Sequence, residues 1–322
     1  LAVFIGFASV PSWAADPLRV SIVPVSAVVR GNADIVVRVT VTNPNPTPVT
    51  VPVWQLPAED IPTPILQVTA ADGSRVPYTG PLVKWDPAAL KTGVTFAAGA
   101  SRVYVVELSA LYEIGNGRFR IDYSQDGPGR FDSSGLTARV FAPVRPAFIE
   151  TVGRAKISAG SVTPSVSALP VATSSCTTSQ RSTILTAVSG ATSYALGAKN
   201  YFSSYTSDSA TPRYVTWFGL VTPTRWSTVS AHFDAIYSAF TTQTVTVDCS
   251  CKKKTLYAYV YASQPYRIYV CNAFWNVQQT GTDSKAGTLI HEMSHFTVVA
   301  GTLDYAYGQT NAKALATAEA SR

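Results

Sequence analysis

Residues 287–296 read GTLIHEMSHF. The stretch holds two of the chain's three histidines, His291 and His295, with Glu292 beside the first. Four residues apart on a helix, the two imidazoles share one face. This is HExxH, the spacing of a zinc hydrolase: two neutral nitrogen ligands, and a carboxylate placed to take a proton from water that the metal activates. A pair of satisfied core histidines is the plain alternative. It is weakened by the adjoining Glu292 and by the scarcity of histidine elsewhere.

Outward on the C-terminal side the chain reads FTVVAGTLDYAYGQT. Gly301 ends the helix and lets the chain turn back. Asp304 follows, and a carboxylate there can return as third ligand, leaving a fourth position open for water. An Asp closing a local turn is the bland alternative. No HxxGxxH continuation follows, and the only downstream glutamate is Glu319, so Asp304 is the best candidate. Thr288 is the expected helix cap, with the polar run CNAFWNVQQTGTDSKAG read as a loop before it.

Further upstream, QTVTVDC, TLYAYVYA and YRIYVC read as strands, with Tyr257, Tyr259, Tyr261, Tyr266 and Tyr269 read as cross-strand packing residues or, for some of them, as facing a cleft where an extended substrate lies on the sheet edge. TRWSTVSAHFDAIYSAF reads as a helix with Trp226, Val229, Phe233, Ile236, Tyr237 and Phe240 on its apolar side. His232 lies in it without a carboxylate companion and is read as structural. TPRYVTWFGL reads as a loop or short extended piece. The segment from Thr177 to Tyr205 has helical spacing, with Thr177 or Thr178 as cap. The four cysteines, Cys176, Cys249, Cys251 and Cys271, all fall in this half. Two bridges are expected, one tying Cys176 to this region and one local.

The first half is different. Between Asp16 and about Pro146, seven short runs rich in β-branched residues alternate with Pro and Gly clusters: RVSIVPVSAVV, DIVVRVTVTN, TPVTVPVW, ILQVTA, RVYVVELS, GRFRIDYS and LTARVFA. They predict an antiparallel, immunoglobulin-like β-sandwich over 16–146. No histidine occurs there, which argues against a metal centre in this half. Residues 147–172, rich in Ser, Ala and Pro, read as an exposed linker. Residues 1–15 resemble the apolar core and cleavage region of a secretory signal peptide, ending near Ala14 and Ala15, without a basic n-region. No other run is long and apolar enough to span a bilayer. The net charge of +6 is mild. Its nearest approach to a patch, Lys252–Lys254, reads as a solvated loop, so no nucleic-acid partner is expected.

HEMSHF followed by GTLDYAYG resembles the aspzincin metallopeptidases, the family of deuterolysin and the peptidyl-Lys metalloendopeptidases. Their HExxH plus GTxDxxYG signature falls here on His291, Glu292, His295, Gly301, Thr302, Asp304, Tyr307 and Gly308. Similarity extends over about 173–322, through the CT at Cys176, YFSS, WFG at 217–219, CSC and YAYVYA.

The resemblance implies an α+β zincin-type domain over 173–322. It implies one zinc ion on His291, His295 and Asp304, Glu292 as general base, and Tyr307 stabilising the tetrahedral intermediate. It also implies disulfides joining Cys176 to Cys249 and Cys251 to Cys271. Family members are secreted as proenzymes, so the sandwich is expected to be an inhibiting or fold-assisting propeptide, with maturation in the linker. GQTNAKALAT after Tyr307 resembles the lysine-specific members and keeps a lysine preference at P1′ open. The chain is thus expected to act as a monomer on proteins or peptides outside the cell, without stable membrane insertion. The competing reading is an exported adhesion or carbohydrate-binding protein whose metal turn is structural.

Overall fold

The computed structural model describes residues 16–57, 64–86, 93–124, 140–154 and 171–319. The leader-like stretch, the middle of the expected linker and most of LTARV lie outside them.

Among the described residues the first half is strands joined by turns, with two single 3-10 turns at Val53–Gln55 and Leu108–Ala110. In β3 (Val36–Thr42), Val37, Val39 and Val41 are fully buried while Arg38 and Thr40 are not. That period of two is what a half-buried strand requires. β3 sits between β1 (Arg19–Pro24) and β8 (Ser101–Glu107), antiparallel to both. A four-stranded sheet runs β2 (Val28–Arg30), β10 (Ala147–Val152), β9 (Gly117–Tyr123), β5 (Leu66–Ala70). β4 (Val49–Pro52) pairs with β7 (Gly93–Phe96). These sheets close on one apolar cluster that includes Ile35, Phe96, Leu108 and Ile121.

Three expectations need correction here. β2 and β10 pair in parallel, so the set is not wholly antiparallel. Residues 147–152, read as linker from their composition, form β10 and carry Ile149 into the core. Residues 171–174 form β11 (Val171–Ser174), the outermost strand of the next sheet. Ladder bonds to distant strands ordered both ends of a segment whose own pattern is weak.

The second half contains both sheet and helix. Its sheet runs β11, β12 (Val245–Asp248), β14 (Arg267–Val270), β13 (Leu256–Tyr261), and then β6 (Pro81–Trp85) from the first half. β11, β12 and β14 are mutually parallel, and β13 and β6 antiparallel. The long helices α1 (Thr178–Ser204) and α3 (Pro223–Thr242) pack on each other and on α5 (Lys285–His295). Thr177 caps α1 in a reciprocal capping box with Gln180. Gly190, a poor helix residue, is there for contact: a Cβ would come within 3.1 Å of the Ala286 side chain. It lets α1 approach the start of α5.

Two shorter helices replace expected loops. α2 (Pro212–Phe218) occupies most of TPRYVTWFGL, with Pro212 at its first turn and Tyr214 buried. α4 (Asn272–Trp275) interrupts the polar run before α5. α6 (Gln309–Glu319) follows the site. Both disulfides implied by the resemblance are formed, Cys176–Cys249 and Cys251–Cys271. The tyrosines of β13 and β14 pack across strands, with Tyr259 and Tyr269 stacked at 4.7 Å.

Candidate active site

The site is built on the C-terminal turn of α5. The helix starts a turn earlier than Thr288: Ser284 is the cap, its hydroxyl accepting from the Gly287 amide. Lys285 and Ala286 amides donate to the Gln278 and Gln279 carbonyls and fix that start, and Thr288 lies buried inside the helix. Leu289 and Met293 hold α5 on the core, so the neighbouring face presents His291, Glu292 and His295.

Beyond His295 the Phe296 carbonyl accepts from the amides of Val299, Ala300 and Gly301. Gly301 takes a left-handed φ of 58°, which reverses the chain. Thr302 is then stitched back onto the helix. Its amide donates to the Ser294 carbonyl at 3.1 Å, and its hydroxyl lies 2.6 Å from that of Ser294. Its carbonyl is 2.8 Å from His295 Nδ1. A carbonyl can only accept, so Nδ1 carries the proton and Nε2 is left with its lone pair.

This return brings Asp304 to the histidines. Its Oδ1 is 3.2 Å from His291 Nε2, its Oδ2 is 3.6 Å from His295 Nε2, and the two Nε2 atoms are 3.1 Å apart. Four-coordinate zinc with bonds of about 2.0–2.1 Å separates its ligand atoms by roughly 3.4 Å. The donor set therefore fits such an ion, and among the described residues it is the group of His, Cys, Asp or Glu able to hold one. His232 is not part of it.

Electrostatics agree with the geometry. Burial pushes His291 down to about 4 against the pull of Asp304, so the imidazole stays neutral. Burial alone would raise Asp304, but His291, His295 and the hydrogen bonds of His291 and Tyr307 outweigh it and hold the carboxyl ionised. Glu292 is fully buried, and neither carboxylate oxygen has a hydrogen-bond partner. Burial, reinforced by the Asp304 charge, pushes its pKa well above the ordinary carboxylate range. An orphaned carboxyl beside three converging donors is costly unless it serves a proton transfer. Tyr307 is also buried, and burial and Asp304 keep its phenol protonated. Its one hydroxyl hydrogen faces two acceptors, the Val83 carbonyl at 2.5 Å and Asp304 Oδ2 at 3.0 Å.

Two participants were not singled out from the sequence. Thr302 lies in the GTxDxxYG signature, whose spacing carries no sign of its backbone contacts with α5. The run PLVKW, bounded by Gly80 and Asp86, is short and apolar enough to signal a strand, yet nothing in it points to its partner, Leu256–Tyr261, in the other half of the chain.

A family profile described as lysine-specific metallo-endopeptidase matches residues 203–322. An extracellular protease of Aeromonas hydrophila is 35% identical over 295 residues, covering 89% of this chain and 83% of that protein. The chain belongs to the aspzincin family. A peptidyl-Lys metalloendopeptidase of Armillaria mellea is 49% identical to this aspzincin over 146 residues, 45% of this chain and 41% of that one. A solved zinc peptidase from Grifola frondosa is 45% identical, covers 45% of this chain and 88% of its own, and superposes with a TM-score of 0.43. The aspzincin described here is a metallo-endopeptidase.

Proposed function

We propose that this aspzincin is a secreted zinc endopeptidase that hydrolyses internal peptide bonds of proteins and favours lysine on the leaving-group side. We propose further that it is made as a proenzyme whose immunoglobulin-like N-terminal sandwich, which runs on from the expected 16–146 through β10, inhibits it until removed by cleavage beyond that strand. The observation that carries the reading is the convergence of His291, His295 and Asp304 next to the unpartnered carboxyl of Glu292.

His291, His295 and Asp304 would hold one zinc ion. When bound, zinc lowers the pKa of water and polarises a carbonyl. Glu292 takes the proton from the attacking water and returns it to the leaving amine. A carboxyl whose pKa is raised by burial suits both halves of that transfer. Tyr307, a buried donor, stabilises the oxyanion where charge develops. Thr302 keeps the tautomer of His295 fixed through its carbonyl.

The lysine preference is supported by the names of the relatives. Secretion is supported by the name of the Aeromonas relative, and no described helix is long and apolar enough to cross a membrane. The chain is read as a monomer acting on protein substrates. A structural metal in a binding protein would be closed by four protein ligands. The group here has three, with an unpartnered acid alongside.

The test pairs zinc content with hydrolysis of casein by the matured protein. Glu292→Gln is expected to keep its zinc and lose activity by about 10²–10⁴-fold. Wild-type turnover in that variant would sink the scheme.

A further inference from the structure

β6 is the outermost strand of the five-stranded sheet, and it comes from the N-terminal half. It runs antiparallel to β13, with Tyr259 opposite Val83 and Ala258 opposite Lys84. α5 packs against both strands. Side chains alternate across a strand. Leu82 enters the core beneath the helices, while Val83 and Trp85 join Tyr307 in a cluster on the opposite side. Lys84 therefore projects on the side of α5, and its charge is felt at both His291 and Glu292.

The backbone is as informative as the side chains. An edge strand needs only its ladder bonds to complete a sheet, and its outward carbonyls ordinarily face solvent. The Val83 carbonyl is instead gripped at 2.5 Å by the Tyr307 hydroxyl, which also lies 3.0 Å from Asp304. The peptide bond that follows this carbonyl is the one leading into Lys84.

The geometry points to Val83–Lys84 as a bond that the chain presents to its own active site and cuts in cis, with Pro81–Trp85 lying along β13 as a bound substrate. This rests on the peptidase reading above. The step is a hydrolysis. Water adds to the Val83 carbonyl carbon, its proton passing to Glu292. The C–N bond then breaks, and Glu292 delivers that proton to the Lys84 nitrogen. The products are a carboxyl terminus at Val83 and an amino terminus at Lys84. The two new ends no longer share a strand, so the cleft along β13 can be vacated.

The test uses the full chain, purified metal-free and then given zinc. N-terminal sequencing and intact mass are expected to show a fragment beginning at Lys84. It should form at a rate independent of protein concentration and be absent in Glu292→Gln. A second readout needs no turnover. In metal-free Glu292→Gln, amide exchange across 82–85 is expected to be at least tenfold slower than in a free peptide of that sequence. Adding Lys84→Glu should speed it, whereas Lys84→Arg should not. Exchange at free-peptide rates overturns the placement. An uncut Val83–Lys84 bond in zinc-loaded protein overturns the inference. Casein hydrolysis after deliberate cleavage in the linker separates the two failures: if casein is cut, the peptidase reading survives alone, and if it is not, both fall.

Discussion

Thr302 shows how much one residue can hold in place. Its amide, carbonyl and hydroxyl each meet the end of α5, and two of them reach the ligand His295 at Nδ1, the carbonyl at 2.8 Å and the hydroxyl at 3.3 Å. Thr302→Val removes the hydroxyl alone. It is expected to cost about 1 kcal/mol of stability, the ordinary worth of one hydrogen bond. It should also weaken zinc binding by about tenfold, at the low end for a group supporting a ligand. Chelator competition and urea unfolding would separate the two effects. Glu292 behaves oppositely. A buried carboxyl without partners is a liability to the fold. Glu292→Gln should therefore raise the thermal midpoint of the metal-free protein while abolishing turnover, a trade common at active sites. A lower midpoint would mean that the carboxyl has a structural partner. At this scale the sequence was most legible. HExxH and GTxDxxYG name the residues that meet, because a helical turn and a glycine reversal are local geometry.

Elements were legible where their signals are local. α1 and α3 follow from apolar spacing, and α1 also from a capping threonine. α2 was hidden by its exposed Val215, Trp217 and Phe218, which spoil the expected polar face. The start of α5 was misplaced because Gly287 looks like a loop residue, yet Ser284 caps ahead of it. The interior strand β12 carries a further dependence. Asp248 accepts from the Ser250 amide at 2.9 Å and from Arg267 at 3.0 Å. Burial alone would raise its pKa, but bonds from Ser250 and Ser174 and the Arg267 charge outweigh that and hold it low. A carboxyl with a depressed folded pKa contributes stability above its unfolded value, about 3.9, and loses it as pH falls through the folded one. Asp248→Asn should thus be most destabilising near neutrality. Its deficit against wild type should shrink below about pH 4, read from urea midpoints at several pH values.

Across the whole molecule, the order of a strand-rich first half and a mixed second half was legible from composition. The exchange of a strand between them was not, because pairing over that distance leaves no trace in local pattern. The same holds for β10 and β11, whose Ser- and Ala-rich surroundings hide strands that only a remote partner orders. Cys176–Cys249 closes a loop of 73 residues and ties the β11–α1 junction to the end of β12. Replacing both cysteines by alanine is expected to cost about 2–5 kcal/mol, the usual worth of such a crosslink. Thermal denaturation under oxidising conditions would measure it.

The position of β6 has one more consequence. While it is paired, the sheet has no open side at β13. Once it departs, a tyrosine-rich row of unsatisfied N–H and C=O groups is laid bare, and such a row pairs with any extended chain. Affinity for unfolded protein and a tendency to self-associate are then one property of the same edge. Protein cleaved in the linker should scatter more light as its concentration rises, and an added extended peptide should suppress that scattering by covering the row.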